Sequence, residues 1–200
     1  MNATIEFVES VNETTLLIDG GQAMQGWEAD LMRRCGDILC RHGSEFMEVG
    51  LGLGLSALHI GSRPTTRRHT VIELHQPVID HFLTRNPTLP AALKITHGDF
   101  FAMLPTLPRA SVDGIFFDPY LPAETRNDPA FWNAVVPPMM ALLRPGGVFV
   151  PCFTTQPYFL FLHFFDHAII ERRHYITYPQ TTYTGATSGH AFIQCYFTLG

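Results

Sequence analysis

The sequence predicts an α/β fold with a doubly wound, mainly parallel sheet of seven strands and a late antiparallel strand. Three observations lead to this prediction. The strand-like segment Ser44–Val49 runs directly into a glycine-rich turn, Gly50–Gly54. The mostly apolar segment Val112–Phe117 is typical of a strand that is covered on both faces. Strand-like and helix-like segments alternate between these landmarks and beyond them, and two late strand-like segments follow.

The first forty residues predict two short strands and a helix. The strands are predicted at Thr4–Val8 and Thr14–Ile18, on either side of the polar pair Asn12-Glu13. Gly20-Gly21 ends the second strand. From Ala23 to about Arg41 apolar residues recur at helical spacing, which predicts one continuous helix.

The turn Gly50–Gly54 is the strongest functional signal in the chain. Glycine has no Cβ, so its backbone can lie against a ligand, and the helix predicted after the turn offers unpaired N–H groups. Glu48 stands two residues before the first glycine. Glu73 ends the next predicted strand, about twenty residues after the glycines, where a doubly wound fold places a carboxylate for ribose hydroxyls. The pattern predicts a nucleotide-like ligand.

The remaining segments continue the alternation of strands and helices. Arg144–Gly147 is predicted to turn the chain into the fifth strand of the sheet, and Pro137-Pro138 to disturb the middle of the preceding helix. The predicted helices are Pro77–Leu83, Pro129–Leu143 and Tyr158–Phe165, and the predicted strands are Leu93–Thr96, Val112–Phe117, Val148–Cys152, Ala168–Arg172 and Ala191–Phe197.

Two acids stand at predicted strand ends, where such a fold builds its pocket. Asp99 precedes Phe100, whose ring is suited to stacking on a purine. Asp118 follows two phenylalanines and precedes Pro119, which disfavours helical geometry at the acid. A carboxylate at the end of an apolar strand is costly to desolvate, so we expect Asp118 to have a functional role.

Composition narrows the classes of function. The chain has 200 residues, enough for one domain with a small extension. The formal net charge of −5 and the lack of a long basic run argue against a nucleic-acid partner. No long apolar segment or N-terminal signal occurs, so we expect no membrane association and a cytoplasmic location. The cysteines and histidines are not spaced as metal ligands, so we expect no metal site. The surface is poor in charged residues, which suits a homodimer interface as well as an enclosing pocket.

The landmarks described above resemble, in order and spacing, those of class I methyltransferases that use S-adenosyl-L-methionine (SAM). A narrower set of segments is similar to the guanidinoacetate N-methyltransferase family and its arginine-methylating relatives. These segments are Ala23–Glu28 with Met32, Met103–Pro108, Phe117–Pro122 and Gly189–Phe192. The resemblance implies the Rossmann-like class I methyltransferase fold, with residues 1–22 as an N-terminal extension or lid and residues 23–200 as the methyltransferase domain.

The resemblance also implies the site. It implies SAM as cofactor, S-adenosyl-L-homocysteine as product, and methyl transfer to a guanidino or amidino nitrogen of a small amino-acid-like substrate. Catalysis is assigned to Asp118 and Glu28. The implied cofactor-binding residues are Met24, Met32, Glu48, Gly50, Gly52, Gly54, Glu73, His75, Asp99, Phe100 and Asp118, and the implied substrate-binding residues are Trp27, Glu28, Asp118, Tyr120, Thr155 and Gln156.

Elementary chemistry supports the pairing of Glu28 with Asp118. A guanidinium is planar with five N–H donors, and carboxylates match it two bonds at a time. Four features depart from the family pattern, and one of them is that the segment after Pro157 is shorter. The segment before Ala23 lacks the family's aromatic lid pattern, Asp99 replaces an apolar residue, and Thr154–Gln156 is polar without being identical.

Three other functions remain open from the sequence. Asp118-Pro119-Tyr120 approximates the acidic loop of amino-group methyltransferases, although one proline is missing. A SAM-binding enzyme of this fold can also cyclise SAM to a small-ring amino acid. A catalytically silent subunit is the third alternative, and the intact glycines together with Glu73 and Asp118 argue against it.

Overall fold

A computed structural model describes residues 3–11 and 13–198, so Asn12 of the predicted turn lies outside the described residues, as do residues 1–2 and 199–200 of the predicted domains. The strands are β1 (Ile5–Ser10), β2 (Glu13–Ile18), β3 (Gly21–Gln25), β4 (Glu45–Val49), β5 (Arg68–Glu73), β6 (Leu93–His97), β7 (Val112–Phe117), β8 (Leu143–Pro151), β9 (His167–Ile176) and β10 (Ser188–Phe197). The α-helices are α1 (Ala29–Leu39), α2 (Leu55–Gly61), α3 (Gln76–Arg85), α4 (Phe100–Met103), α5 (Ala123–Arg126) and α6 (Pro129–Met140). Short 3-10 turns occur at Gly26–Glu28, Cys40–His42, Leu104–Thr106 and Leu162–Phe164.

The central sheet has seven strands in the order β6-β5-β4-β7-β8-β10-β9. The first five strands in this order, from β6 to β8, pair with one another in parallel. Strand β10 is antiparallel to both of its neighbours, β8 and β9. The order reverses between β4 and β7, which places a switch point at the centre of the sheet. The predicted doubly wound, mainly parallel sheet with a late antiparallel strand is confirmed, and ligands bind beside the switch point in such sheets.

The first three strands form a separate antiparallel sheet, which we call the lid sheet. The predicted helix from Ala23 was wrong at its beginning, because Gly21–Gln25 pairs with β2 and the helix starts only at Ala29. Met24 stands opposite Leu16 in this pairing. The helical spacing of Met24 relative to later apolar residues is therefore coincidental. The division into a lid at 1–22 and a domain at 23–200 stays a prediction.

Two later segments also differ from the predictions. Tyr158–Phe165 contains only one 3-10 turn, because Phe161 and Phe165 both insert their rings into an aromatic cluster around Phe149. Strand β8 begins at Leu143, and the predicted turn Arg144–Gly147 forms an irregularity within it. Helix α6 continues through Pro137 and Pro138, which lie among its last four residues.

Apolar clusters cover both faces of the central sheet. One cluster packs α1, α2 and the lid sheet together and includes Met32, Leu39 and Ile60, which are fully buried. The other includes Trp132 and Val136 from α6 and the aromatic side chains Phe117, Phe149 and Tyr196 from β7, β8 and β10. Among the described residues no helix is long and apolar enough to cross a membrane.

The turn after β4 takes a conformation that requires glycine. Gly50, Gly52 and Gly54 have φ values of +89°, +53° and +74°, in the left-handed region that side chains disfavour. A Cβ on Gly50 would lie 2.3 Å from the carbonyl oxygen of Asp118. The turn is therefore pressed against the end of β7.

We expect Gly50→Ala to destabilise the protein more than a matched glycine change. Gly146 also has a positive φ, +75°, but a Cβ there would meet no atom within 4 Å. In both variants the free energy of unfolding should fall by about 1–2 kcal/mol, because alanine disfavours the left-handed backbone conformation. In Gly50→Ala it should fall by a further roughly 1–3 kcal/mol, because the added Cβ overpacks against the Asp118 backbone. Urea denaturation measures both, and equal losses would contradict the close approach.

Candidate active site

A cavity of about 390 Å³ lies where β4, β5, β7 and β8 end, beneath the lid sheet. Its walls come from the carboxyl ends of these strands, from the lid sheet and from the loop after β9. Ten of the predicted site residues line it together: Met24, Glu28, Gly50, Gly52, Glu73, His75, Asp99, Phe100, Asp118 and Tyr120.

The glycine turn and Glu73 form one hydrogen-bonded unit at the cavity wall. The Leu51 N–H donates to Glu73 Oε2 over 2.8 Å, and the His75 N–H donates to Glu73 Oε1 over 2.7 Å. The Gly50 N–H donates to the Ile72 carbonyl at the end of β5. Glu73 is thus fixed in orientation beside the turn, with its side chain almost fully buried.

Glu28 reaches the cavity from the short turn between the lid sheet and α1. Its Oε1 accepts a hydrogen bond of 2.6 Å from the Gln25 N–H, which ties the carboxyl group to the end of β3. The side chain is 5% exposed. Burial raises the pKa of Glu28 to about 8, and the charge of Asp118 adds to the rise.

Asp118 stands at the end of β7, directly above the switch point. Its N–H donates to the Val49 carbonyl over 2.9 Å, which aligns the strand end with the glycine turn. Burial raises the pKa of Asp118 to about 7, and a hydrogen bond from the Cys152 thiol opposes the rise. Burial likewise raises the pKa of Cys152 well above its ordinary value, so the thiol stays protonated and donates to Asp118.

The two acids share one electrostatic environment. Both line the same cavity, and in addition to burial the charge of Asp118 contributes to the raised pKa of Glu28. Two such groups accept protons near neutral pH and hold a planar cation when ionised. Their arrangement is suited to a guanidinium or amidinium group.

The glycine turn and Met24 form one wall of the cavity. A Cβ on Gly52 would meet the Met24 side chain at 2.7 Å, and the Met24 sulfur accepts from the Leu53 N–H, so Met24 and the turn form a continuous wall. Phe100 is buried at the opposite wall, and Asp99 caps α4 through the Phe101 N–H. Among the described residues no three His, Cys, Asp or Glu side chains cluster as a metal site.

Six predicted site residues do not line the cavity. Trp27 donates its indole N–H to Gln25 Oε1 and packs on Phe153 and Tyr175. Glu48 is buried beneath α2, where it accepts a hydrogen bond from Ser56 and lies 2.9 Å from His69 Nε2, in an orientation that does not complete a hydrogen bond. The others are Met32, which is in the core, Gly54, which faces Phe82, and the exposed residues Thr155 and Gln156.

Several lining residues were not predicted from the sequence. Cys152 follows β8, so the rule that pockets form at the carboxyl ends of strands would have identified it. Tyr183 comes from the loop after β9, and no local signal marks it. The other polar side chains of this set are Gln22, Arg126, Thr154, Tyr158, Gln194 and Tyr196.

Comparison with known proteins gives one family match. The model of the family described as guanidinoacetate N-methyltransferase matches residues 1–168. The match includes the lid sheet, the glycine turn and both cavity acids.

Solved structures of low sequence identity share the fold. A spermidine synthase from Thermotoga maritima superposes with a TM-score of 0.71 at 13% identity, over 98% of this chain and 69% of that chain. A probable spermidine synthase from Corynebacterium glutamicum gives 0.63 at 18% identity, over 97% and 77%. The O-methyltransferase TomG from Streptomyces achromogenes, solved with SAM, gives 0.58 at 17% identity, over 84% and 80%.

We expect the stability of the ligand-free protein to fall as the pH rises from 5 to 8. The pKa of Glu28 is raised from 4.5 to about 8 and that of Asp118 from 3.8 to about 7, so the folded state binds protons that the unfolded state has lost. The resulting stabilisation is fully present below pH 4 and is lost as the pH passes through the folded-state values. Urea denaturation at several pH values measures it.

The Glu28→Gln variant isolates this effect, because an amide does not titrate. Its free energy of unfolding should fall less between pH 5 and 8 than that of the wild type, by at least about 1.4 kcal/mol, the equivalent of one pKa unit. Glu124→Gln makes the same chemical change on the exposed surface of α5 and should follow the wild type. A Glu28→Gln profile parallel to the wild type would contradict a raised pKa at Glu28.

Proposed function

The chain belongs to the guanidinoacetate N-methyltransferase family, and we propose that in this protein Glu28 and Asp118 hold the guanidino group that receives the methyl. Members of this family use SAM, and this chain is a SAM-dependent N-methyltransferase that acts on a guanidino nitrogen of a small molecule. The observation that supports the proposal is that the buried Glu28 and the partly buried Asp118 line one cavity, where the charge of Asp118 raises the pKa of Glu28.

The glycine turn and Glu73 would hold the cofactor. Gly50 and Gly52 line the cavity beside Met24, and the Glu73 carboxylate retains acceptor capacity for a diol. His75, Asp99 and Phe100 would complete this part of the site. SAM, when bound, supplies an electrophilic methyl group on its sulfonium.

The two acids would orient the acceptor. A guanidinium offers N–H donors along two edges, and carboxylates on different elements can each take one edge. Glu28 approaches from the lid side and Asp118 from the sheet. A group held at both edges has its third nitrogen fixed in direction, and such positioning supplies a large part of the rate.

One acid would also receive a proton. A guanidinium nitrogen is a weak nucleophile because the free group is protonated at neutral pH, and one proton must leave when the new C–N bond forms. Asp118 has a pKa near the working pH, which suits it to accept that proton. The Cys152 thiol would hold the Asp118 carboxylate in orientation through its hydrogen bond.

The lid sheet would keep water away from the reacting groups. Leu16, Ile18 and Met24 face the cavity from this sheet. Glu9 at its far edge pairs with Arg85 of α3 at 2.6 Å, and Phe7 stacks on His81. The sheet is therefore fastened over the cavity from its outer side.

We expect Asp118→Asn and Glu28→Gln each to lower kcat by a hundredfold or more, within the range for acid–base groups. Both changes keep the side-chain shape and remove the charge and the proton acceptor. The double variant should be less than additive, because the two carboxyl groups act on one substrate group. Single-turnover kinetics with a guanidino acid, together with SAM affinity by calorimetry, measures these effects.

Mass detection of the product distinguishes guanidino methylation from amino-group methylation and from cyclisation of SAM. A mass increase of one methyl group on guanidinoacetate, which has no amino group outside its guanidino group, supports the proposal and separates it from amino-group methylation. Consumption of SAM without an acceptor would instead indicate cyclisation of SAM. Normal turnover by Glu28→Gln with every accepted guanidine would contradict the assigned role of Glu28.

A further inference from the structure

Three polar side chains are buried behind the glycine turn, on the side away from the cavity. Glu48 is 1% exposed, and Ser56 and His69 are fully buried. None of the three is among the described residues that line the cavity. Burying an ionisable pair costs free energy, and apolar side chains of similar size often replace such a pair without loss of stability. Stability alone therefore does not account for these residues.

A hydrogen bond between Ser56 and Glu48 spans the glycine turn. Glu48 lies in β4 two residues before Gly50, and Ser56 lies in α2 two residues after Gly54. The Ser56 hydroxyl donates to Glu48 Oε1 over 2.5 Å. The two ends of the turn are thus joined by a buried side-chain bond, which fixes the beginning of α2 relative to the end of β4.

His69 lies against the other oxygen of the same carboxyl group. It stands in β5 opposite Phe46 of β4, and therefore on the same face of the sheet as Glu48. Its Nε2 is 2.9 Å from Glu48 Oε2, and its N–H donates to the Ala92 carbonyl over 2.8 Å. The Glu48 carboxyl group is thus enclosed between β4, β5 and α2, which restricts its rotation.

Two acids consequently hold the turn from opposite sides. Glu73 accepts from the Leu51 N–H at the beginning of the turn, on the cavity side. Glu48 acts at its end, through Ser56, on the core side. A turn rich in glycine has wide backbone freedom, and ordering it when a ligand binds would lower the affinity. Contacts that hold the turn in one shape beforehand avoid this loss.

We propose that Glu48 and Ser56 form a brace that preorganises the glycine turn for the cofactor. The inference rests on the proposed function, because it takes the turn as part of the SAM site. Glu48 is then a positioning residue that acts without touching the ligand, in place of the direct contact that the resemblance implies. Ser56 acts through Glu48.

The Ser56→Ala variant tests the brace most directly. Alanine is a strong helix former, so α2 should still form. We expect the Kd for SAM to rise roughly 5- to 50-fold, as the loss of a hydrogen bond to a charged group would give. The KM of guanidinoacetate at saturating SAM should change by less than about twofold, because the brace acts on cofactor binding. Calorimetry measures the Kd, and urea denaturation measures the free energy of unfolding.

Two variants serve as controls. Ser62→Ala makes the same change at the other end of α2, where the residue is exposed, and its Kd for SAM should match the wild type. Glu48→Gln keeps the shape of the side chain and an oxygen that accepts from Ser56, so its Kd should stay within about threefold of the wild type.

A double variant tests whether Ser56 acts through Glu48. Glu48→Leu removes the acceptor and should raise the Kd for SAM at least as much as Ser56→Ala does. Adding Ser56→Ala to Glu48→Leu should raise the Kd no further, because the bond is already lost. Fully additive effects would contradict the brace.

The other outcomes separate this inference from the proposed function. An unchanged Kd for SAM in Ser56→Ala would overturn the inference, even with a loss of stability, because a purely structural bond changes the free energy of unfolding alone. An equal rise in the KM of guanidinoacetate would overturn it as well. A wild type that binds no SAM would overturn the proposed cofactor site, and this inference with it.

Discussion

The contact between the glycine turn and the end of β7 determines the geometry of the whole site. The Gly50 backbone lies so close to the Asp118 carbonyl that no side chain fits between them, and the Asp118 N–H donates to the Val49 carbonyl. Glu73 adds β5 to this unit through the Leu51 N–H. Because three parallel strands end together, the glycine turn and the acid of β7 are placed relative to each other by backbone contacts and by the Glu73 carboxylate.

Glu28 and Asp118 are suited to acid–base chemistry because desolvation raises the pKa of both carboxyl groups. Glu28 is held by the Gln25 N–H beneath the lid sheet, and Asp118 by the Cys152 thiol. Desolvation raises the pKa of both carboxyl groups, and among the described residues neither forms an ion pair that would oppose the rise. A bound guanidinium would supply the missing positive charge, and the free energy lost in burying the carboxyl groups would then favour substrate binding. The same arrangement makes the stability of the ligand-free protein depend on pH.

The sheet could be predicted from the sequence more completely than the residues that line the cavity. The glycine turn and the apolar strand β7 could be predicted because each is encoded in a short stretch of sequence. The helix predicted from Ala23 was wrong at its beginning, because residues there pair with β2 and the spacing of apolar residues does not report that pairing. Asp118 was recognised since a carboxylate ending an apolar strand is costly. Tyr183 and Arg126 were missed, because a loop after β9 and a four-residue helix carry no periodic signal, and only the folded chain brings them to the cavity.

We propose that Glu28 and Asp118 both bind one guanidino group, and a crystal structure with S-adenosyl-L-homocysteine and guanidinoacetate would test this. We expect the guanidino group within hydrogen-bonding distance, roughly 2.7–3.2 Å, of both carboxylates, with its free nitrogen directed at the cofactor sulfur. A guanidino group bound away from either carboxylate, with its nitrogen turned from the sulfur, would contradict it.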